Sequence, residues 1–514
     1  MMRTVVKLLD SVFYSLLSFF HLAINILSRL DPAFFESMSG KRALYLFRKA
    51  SRQVPAYKNF LWAHQIDPGQ VRTIDDLNVI VPQTTKENYV RAYRLSERCL
   101  KGRLPSHGYL DESSGTSGLP TNWIRSADED KPYFPLMKMI MKYLYSVYKD
   151  QNYIFLNGFT IGAWAGGQRF SQTIGPLGVI KNIGTNADKI LGTMKDVGTQ
   201  PHYLIGGYPP FLKDLIDQGR KTKGFDWKDY NVHILTGGEG FLEEWRDCIS
   251  SHLRPGAKIF SFYGAIDLET GIATENPVCV AIKKLLNQDQ ELRQTLLSSG
   301  RLPCFLGQYS PLNFYIRETT SPDGIRELEI SVLNLKTVYP KIKYNVGDEG
   351  GKIPYKTMKV SMEKHGYDFR GLIKSCQSQP LIPLPFIYLF GRSDGTVSVN
   401  GVNIYSSDVY EAIFSDSNLA GKISTFKLSV EMDSEKSLRL FIYLEVKEGM
   451  EITESLEQKC RRVIVSKILA SAECFRNAYE SNPAAHEPIL TILPFRTGLF
   501  KDEGELLKHR YVKK

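Results

Sequence analysis

Between residues 153 and 265 the chain repeats one pattern. Short apolar runs at 153–159, 201–207, 231–239 and 258–265 alternate with stretches at 209–221 and 242–253 whose apolar residues recur at helical spacing. Strand and helix signals in alternation predict stacked α/β layers, because parallel neighbouring strands need a crossover and the crossover helices cover the sheet. The sheet is therefore read as largely parallel, with later strands at 327–334 and 341–353. Ligands of such sheets bind at the carboxyl ends of the strands. That directs attention to Thr236-Gly237-Gly238-Glu239 after one run and to Phe262-Tyr263-Gly264-Ala265-Ile266-Asp267 after the next.

The pattern does not hold throughout. Residues 84–95 and 128–149 read as helices, and the stripe Met137, Ile140, Met141, Leu144 and Val147 is read as core. Beyond the proline-rich stretch 378–386, short strands and a helix around 453–471 make a compact unit of roughly 120 residues. The fold class is α/β: a large layered α/β N-terminal domain followed by a small α+β C-terminal lid domain. The divisions fall at 1–30 (an apolar, amphipathic helix), 31–391 and 392–514. A chain of 514 residues that is 43% hydrophobic can supply more than one core.

Residues 11–28 carry no charge, while Ser11, Ser15, Ser18, Asn25 and Ser28 mark a weak polar stripe. A spanning helix needs about 20 apolar residues, so this segment is marginal for that role. Docking on the protein's own body is the first reading, a membrane surface met through residues 5–30 the second, and spanning the last. The formal charge of +10 favours anionic partners, but no Lys/Arg run interleaved with aromatics points to nucleic acid. The seven cysteines are scattered without a CxxC pair. That does not indicate a zinc framework and fits reduced thiols in the cytoplasm.

Ser113-Ser114-Gly115-Thr116-Ser117-Gly118 combines hydroxyls with glycines, a composition suited to wrapping phosphate oxygens, and it lacks the GK[ST] ending of a Walker A loop. Tyr263 offers a flat face for a base. Asp267 or Glu269 offers oxygen to Mg²⁺. Asp348, in Tyr344-Asn345-Val346-Gly347-Asp348, can accept from ribose hydroxyls. Arg392, in Gly391-Arg392-Ser393-Asp394-Gly395, sets a guanidinium beside a flexible joint.

Taken in order, these elements resemble the acyl-adenylate-forming (AMP-binding) superfamily, most nearly its phenylacetate–CoA ligase-like branch. SSGTSG resembles its phosphate loop and GFTIGAWAGG (158–167) its acyl-pocket segment. YGAID and YNVGD resemble its adenine and ribose motifs, and GRSDGTVSVNGVNIY the hinge and first lid strand. The resemblance runs from about residue 84 to the C-terminus. It implies ATP-dependent activation of a small carboxylic acid as acyl-AMP, with Mg²⁺, and transfer to CoA. An amine acceptor is the first alternative and a carrier-protein thiol the second.

By that resemblance, Ser113 to Gly118 hold phosphates, and Gly238, Glu239, Tyr263 and Gly264 frame adenine. Asp267 is the metal position, Asp348 the ribose anchor, Arg392 a second nucleotide contact and Asp394 the hinge. Lys508 is the catalytic lysine, with Lys501 its rival. Phe159, Trp164, Gly166, Gly207 and Tyr208 line the acid's pocket, whose aromatic surroundings suit an aryl or medium-length acyl group.

The sequence departs from the pattern at several points. No lysine stands at 119 or 121, Ile266 replaces a hydroxyl, Asp267 is shorter than Glu, and Asn345-Val346 replaces Arg-Thr. A membrane-associated nucleotide-binding protein with impaired catalysis is therefore the reading from a different class. His202 and His233 are read as structural.

Overall fold

The computed structural model describes residues 12–113, 121–147, 152–161, 165–268, 270–321, 324–377, 379–392, 397–399, 402–404, 406–414, 416–435, 437–471, 475–476, 479–480 and 482–501. Strands β1 (Gly108–Ser113) and β2 (Thr121–Ser126) form a hairpin-like pair. The central sheet is built from β3 (Tyr153–Asn157), β4 (Val179–Asn182), β5 (His202–Gly207), β6 (Asn231–Gly237), β7 (Ile259–Ala265), β8 (Thr270–Thr274), β9 (Phe305–Tyr309), β10 (Phe314–Thr320), β11 (Arg326–Val332), β12 (Tyr344–Ile353) and β13 (Phe386–Arg392). Its order is β10-β11-β12-β13-β9-β8-β7-β6-β5-β3-β4 among the described residues.

The alternation read from the sequence corresponds to β3 through β7, which pair in parallel with helices Pro209–Lys221 and Glu243–His252 between them. The expectation of a largely parallel sheet needs correction, because every other pairing in this sheet is antiparallel. The connections explain part of this: β7 to β8 and β10 to β11 are joined by a few residues, too short for a crossover.

The helix expected at 84–95 shrinks to a single turn, Lys86–Val90, capped reciprocally by Thr85 and Asn88. Thr84 is held in extended pairing with β12: its N–H donates to Lys343 O (2.8 Å) and its carbonyl accepts from Asn345 N–H (2.9 Å). The segment 128–149 is a helix Tyr133–Tyr145 that stops where Ser146 turns left-handed at φ 60°.

β7 is anchored from behind by a buried ionic cluster. Arg246 meets Glu243 at 2.8 Å and Glu275 at 2.7 Å, Lys283 meets Glu243 at 3.3 Å, and Glu275 also accepts the Ser261 N–H at 2.7 Å. Removing one member of such a cluster strands a buried charge, so the cluster holds β7 in one position.

The helix Phe20–Leu27 docks on the body. Leu17, Phe20, Ala23, Ile24 and Leu27 are buried with Phe35, Met38, Met139, Leu312 and Ile382. The outward side of residues 12–26 exposes Val12, Phe19, Leu22 and Ile26 alongside Ser15, Ser18 and Asn25. Among the described residues, no helix is long and apolar enough to cross a membrane.

Past β13, strands β14 (Val397–Val399) and β15 (Val402–Ile404) pair with each other. β16 (Ile423–Met432), β17 (Leu438–Val446) and β18 (Ile489–Leu493) form a separate sheet. That sheet and helix Glu454–Ser471 close over their own core, which includes Phe426, Ile442, Leu444, Ile464 and Ile468. Leu438 joins the core around Trp245 and Leu212 in the larger part.

His233 lies in β6, where burial first, then Lys258 and His202, push its imidazole down to about 4. Its Nδ1 accepts the Lys258 backbone N–H at 3.1 Å, a role that needs the neutral ring. The unfolded chain titrates at the ordinary 6.5. This contribution to stability is therefore present above pH 6.5 and is lost as pH falls toward 4, by roughly 3 kcal/mol. Urea unfolding at about pH 7 and about pH 4.5 should show a smaller acid loss for His233→Gln than for the wild type; equal losses would contradict this.

Candidate active site

Two strands that are not neighbours in the sheet meet here. Tyr263 lies near the end of β7 and Asp348 in the middle of β12, with β8, β9 and β13 between those strands. Register shifts at Tyr263/Gly264 and at Glu349/Gly350 bend both strands. The bend brings the Tyr263 hydroxyl to Asp348, to which it donates at 2.6 Å. Arg392 stands opposite Asp348 in β13; its Nη1 donates to Val346 O at 2.7 Å and lies 3.5 Å from Asp348 Oδ1. Gly347, with φ 79°, lets the chain turn between Val346 and Asp348.

A second pair repeats the chemistry. The Tyr344 hydroxyl donates to Asp267 Oδ2 at 2.7 Å. Burial, then Asp348, raises the Tyr263 phenol well above its ordinary value. Burial, then Asp267, does the same for Tyr344. Both phenols therefore remain protonated donors, and each fixes one carboxylate in the cleft.

Lys86 is a site residue that the sequence does not single out. Its Nζ lies 3.4 Å from Asp267 Oδ2 and donates to Ser113 Oγ at 3.3 Å, while the Trp123 indole N–H donates to the same Oγ at 2.8 Å. Nothing in TTKENYV announces that partner, which lies far along the chain.

One cavity of about 1070 Å³ joins these groups. Lys86, Ser113, Tyr263, Asp267, Asp348 and Arg392 line it, as do Gly238, Glu239 and Gly264. Gly238 has φ 83°, and a Cβ there would sit 2.9 Å from the Tyr208 ring. Phe159, Gly166 and Tyr208 line the same cavity, with the Phe159 and Tyr208 rings edge-to-face at 5.1 Å. Gly207 is not brought in: it ends β5 against Phe211 and Leu212. Ser114 to Gly118, Trp164, Glu269, Asp394 and Lys508 lie outside the described residues. Lys501 is exposed at the end of the described chain. Ser429 and Val430 of β16 and Val397 of β14 complete the lining, so the C-terminal unit faces the strand ends. Cys304 also lines the cavity, but burial pushes its thiol up to about 11, which leaves it a poor nucleophile.

Asp267 is a single carboxylate with oxygen facing the cleft. Mg²⁺ is often held that way, by one carboxylate plus phosphate oxygens. Among the described residues no cluster of three or more His, Cys, Asp or Glu could bind a metal without a ligand's help.

No protein-family model matches the sequence, and no curated protein matches it. Solved structures do match in fold. A 2-hydroxyisobutyryl-CoA ligase in complex with 2-HIB-AMP and CoA in the thioesterification state is 13% identical, with TM-score 0.60 over 95% of this chain and 90% of that one. An open conformation of that ligase with 2-HIB-AMP and CoA is 13% identical, with TM-score 0.51 over 92% and 90%. Its postadenylation state with 2-HIB-AMP is 13% identical, with TM-score 0.51 over 92% and 88%. The chain has the two-domain fold of adenylate-forming CoA ligases. This likeness extends to that group and does not single out the phenylacetate–CoA ligase-like branch.

A double-mutant cycle on Tyr263→Phe and Asp348→Asn measures the central bond. Urea denaturation should give a coupling of about 1.5–3 kcal/mol, the range for a hydrogen bond to a charged group; additive effects would mean the contact contributes nothing.

Proposed function

We propose that the protein activates a carboxylic acid with ATP as its acyl-AMP and then transfers the acyl group to CoA. The observation that carries this is the convergence of Tyr263–Asp348–Arg392 and Tyr344–Asp267–Lys86 on one cleft faced by the C-terminal unit. In this reading Tyr263 and the Gly238–Glu239 turn bracket the adenine, and Asp348 accepts from the ribose hydroxyls. Ser113 to Gly118 donate to the phosphates. The branch proposed is the phenylacetate–CoA ligase-like one, from the motifs in the sequence.

In the first half, a carboxylate oxygen attacks the α-phosphorus, the bond to the bridging oxygen breaks, and pyrophosphate leaves with the electron pair. Lys86 and Lys508 offset the negative charge that develops, and the site holds its donors in place before the reaction begins. Mg²⁺, held by Asp267 with phosphate oxygens, supplies further charge neutralisation when bound. In the second half, the lid turns about Asp394 and the CoA sulfur attacks the acyl carbon. The carbon–oxygen bond to AMP breaks, and the thiol proton passes to solvent or to the departing phosphate. The fold shared with a CoA ligase is what favours CoA over an amine as the acceptor.

The proposed location is the cytoplasm, where free thiols such as Cys99, Cys279 and Cys460 persist. The apolar side chains exposed along residues 12–26 favour contact with a membrane surface.

Pyrophosphate release with ATP and a panel of acids tests the first half. Asp348→Ala should lower kcat/KM by about a hundredfold. Lys508→Ala should abolish adenylation while thioester formation from supplied acyl-AMP continues. ATP-independent behaviour, or an Asp348→Ala enzyme as fast as the wild type, would overturn the proposal.

A further inference from the structure

The cavity does not stop at the nucleotide loops. It extends along the helix Tyr133–Tyr145, where Met137, Ile140 and Leu144 line it, and reaches Met139 and Ile382. Those last two belong to the buried cluster formed with Leu17, Phe20 and Ile24, so the N-terminal helix packs behind that part of the wall.

The chemistry of this extension differs from that of the strand ends. Arg169, the charged side chain in this stretch, is paired with Asp130 at 2.6 Å. The Thr173 hydroxyl donates to Arg169 O at 2.6 Å. Gln308 Nε2 donates to the Ile382 and Leu384 carbonyls at 3.2 and 2.8 Å, and its Oε1 accepts from Asn276 at 2.7 Å. These groups are committed to the protein itself. Along the helix the wall is largely Leu136, Met137, Ile140 and Leu144, and methionine adapts to a flexible chain rather than to one rigid shape, while Tyr133 Oη and Asn313 Oδ1 in the same cavity are buried without a hydrogen-bond partner among the described residues. The volume of about 1070 Å³ covers both the strand-end loops and this extension, and it exceeds the roughly 300–1,000 Å³ usual for a single small-molecule site.

We propose that the acid is a long-chain aliphatic one. Its carboxylate lies beside Gly264 and Asp267, and its chain runs along the helix Tyr133–Tyr145. The N-terminal helix acts as the backstop that limits chain length. This assignment rests on the adenylation reading of the same site and names its substrate class. The stripe packs into a buried core, as its spacing indicates, and on this account its Met137, Ile140 and Leu144 also wall the acyl channel.

The test is pyrophosphate release by the full chain with ATP and butyrate, octanoate, dodecanoate, hexadecanoate, benzoate or phenylacetate, with direct titration of hexadecanoate in parallel. Each methylene buried should raise kcat/KM by about fourfold until the backstop is reached. Ile140→Trp, or Met137→Trp should the first fold poorly, should cut the hexadecanoate-to-octanoate ratio at least about tenfold.

Preference for benzoate, phenylacetate or butyrate over every longer acid would overturn the chain assignment and leave adenylation standing. Folded Ile140→Trp and Met137→Trp variants that keep the wild-type chain-length profile would overturn it equally. Saturable hexadecanoate binding without pyrophosphate release from any acid would support the channel and overturn adenylation. Neither binding nor release would overturn both.

Discussion

Two part-buried phenol–carboxylate hydrogen bonds, Tyr263 to Asp348 and Tyr344 to Asp267, hold the cleft together. Each joins residues far apart in sequence, and the first joins strands separated by three others in the sheet. Neither could form on a flat sheet. The bulges that bend β7 and β12 make the contact geometrically available, and the ionic cluster around Arg246 holds β7 where Tyr263 can use it. Because the phenols stay protonated, the carboxylates keep one orientation and can use their second oxygens for other partners. The strand ends thus present charge that is already oriented, the condition under which electrostatic stabilisation acts without reorganisation.

How much of this is legible in the sequence follows from the range of the interactions. The parallel part of the sheet is legible because its alternation is local: each strand and helix declares itself within about ten residues. The turn glycines are legible for the same reason, and Gly238 and Gly347 do adopt left-handed φ angles. The antiparallel half is not, since 305–320 and 341–353 carry apolar runs that fit either direction. Lys86 sits in a segment of ordinary helical composition that is instead pulled straight at Thr84 by β12. Met137 and Ile140 have the spacing of core residues, and spacing does not distinguish a packed core from the wall of a cavity.

The two ends of the chain bear on the site in different ways. The N-terminal segment has an apolar inner face, satisfied by Phe35, Met38 and Met139, and a mixed outer face that leaves Phe19 and Leu22 in the open beside Ser18 and Asn25. The C-terminal unit has a core of its own, and it reaches the larger part through Leu438 and through β16 residues at the cavity. A unit with an independent core and few bridging contacts can change position without unfolding, which is the physical requirement for a lid that serves two half-reactions.

The claim on which everything else depends is that the bent strand ends form one adenine-nucleotide site. A crystal structure of the full chain with ATP tests it most directly. The account predicts the adenine between Tyr263 and the Gly238–Glu239 turn, with both ribose hydroxyls within hydrogen-bonding distance of Asp348. A nucleotide bound elsewhere on the molecule, out of reach of Asp348 and Tyr263, would contradict it.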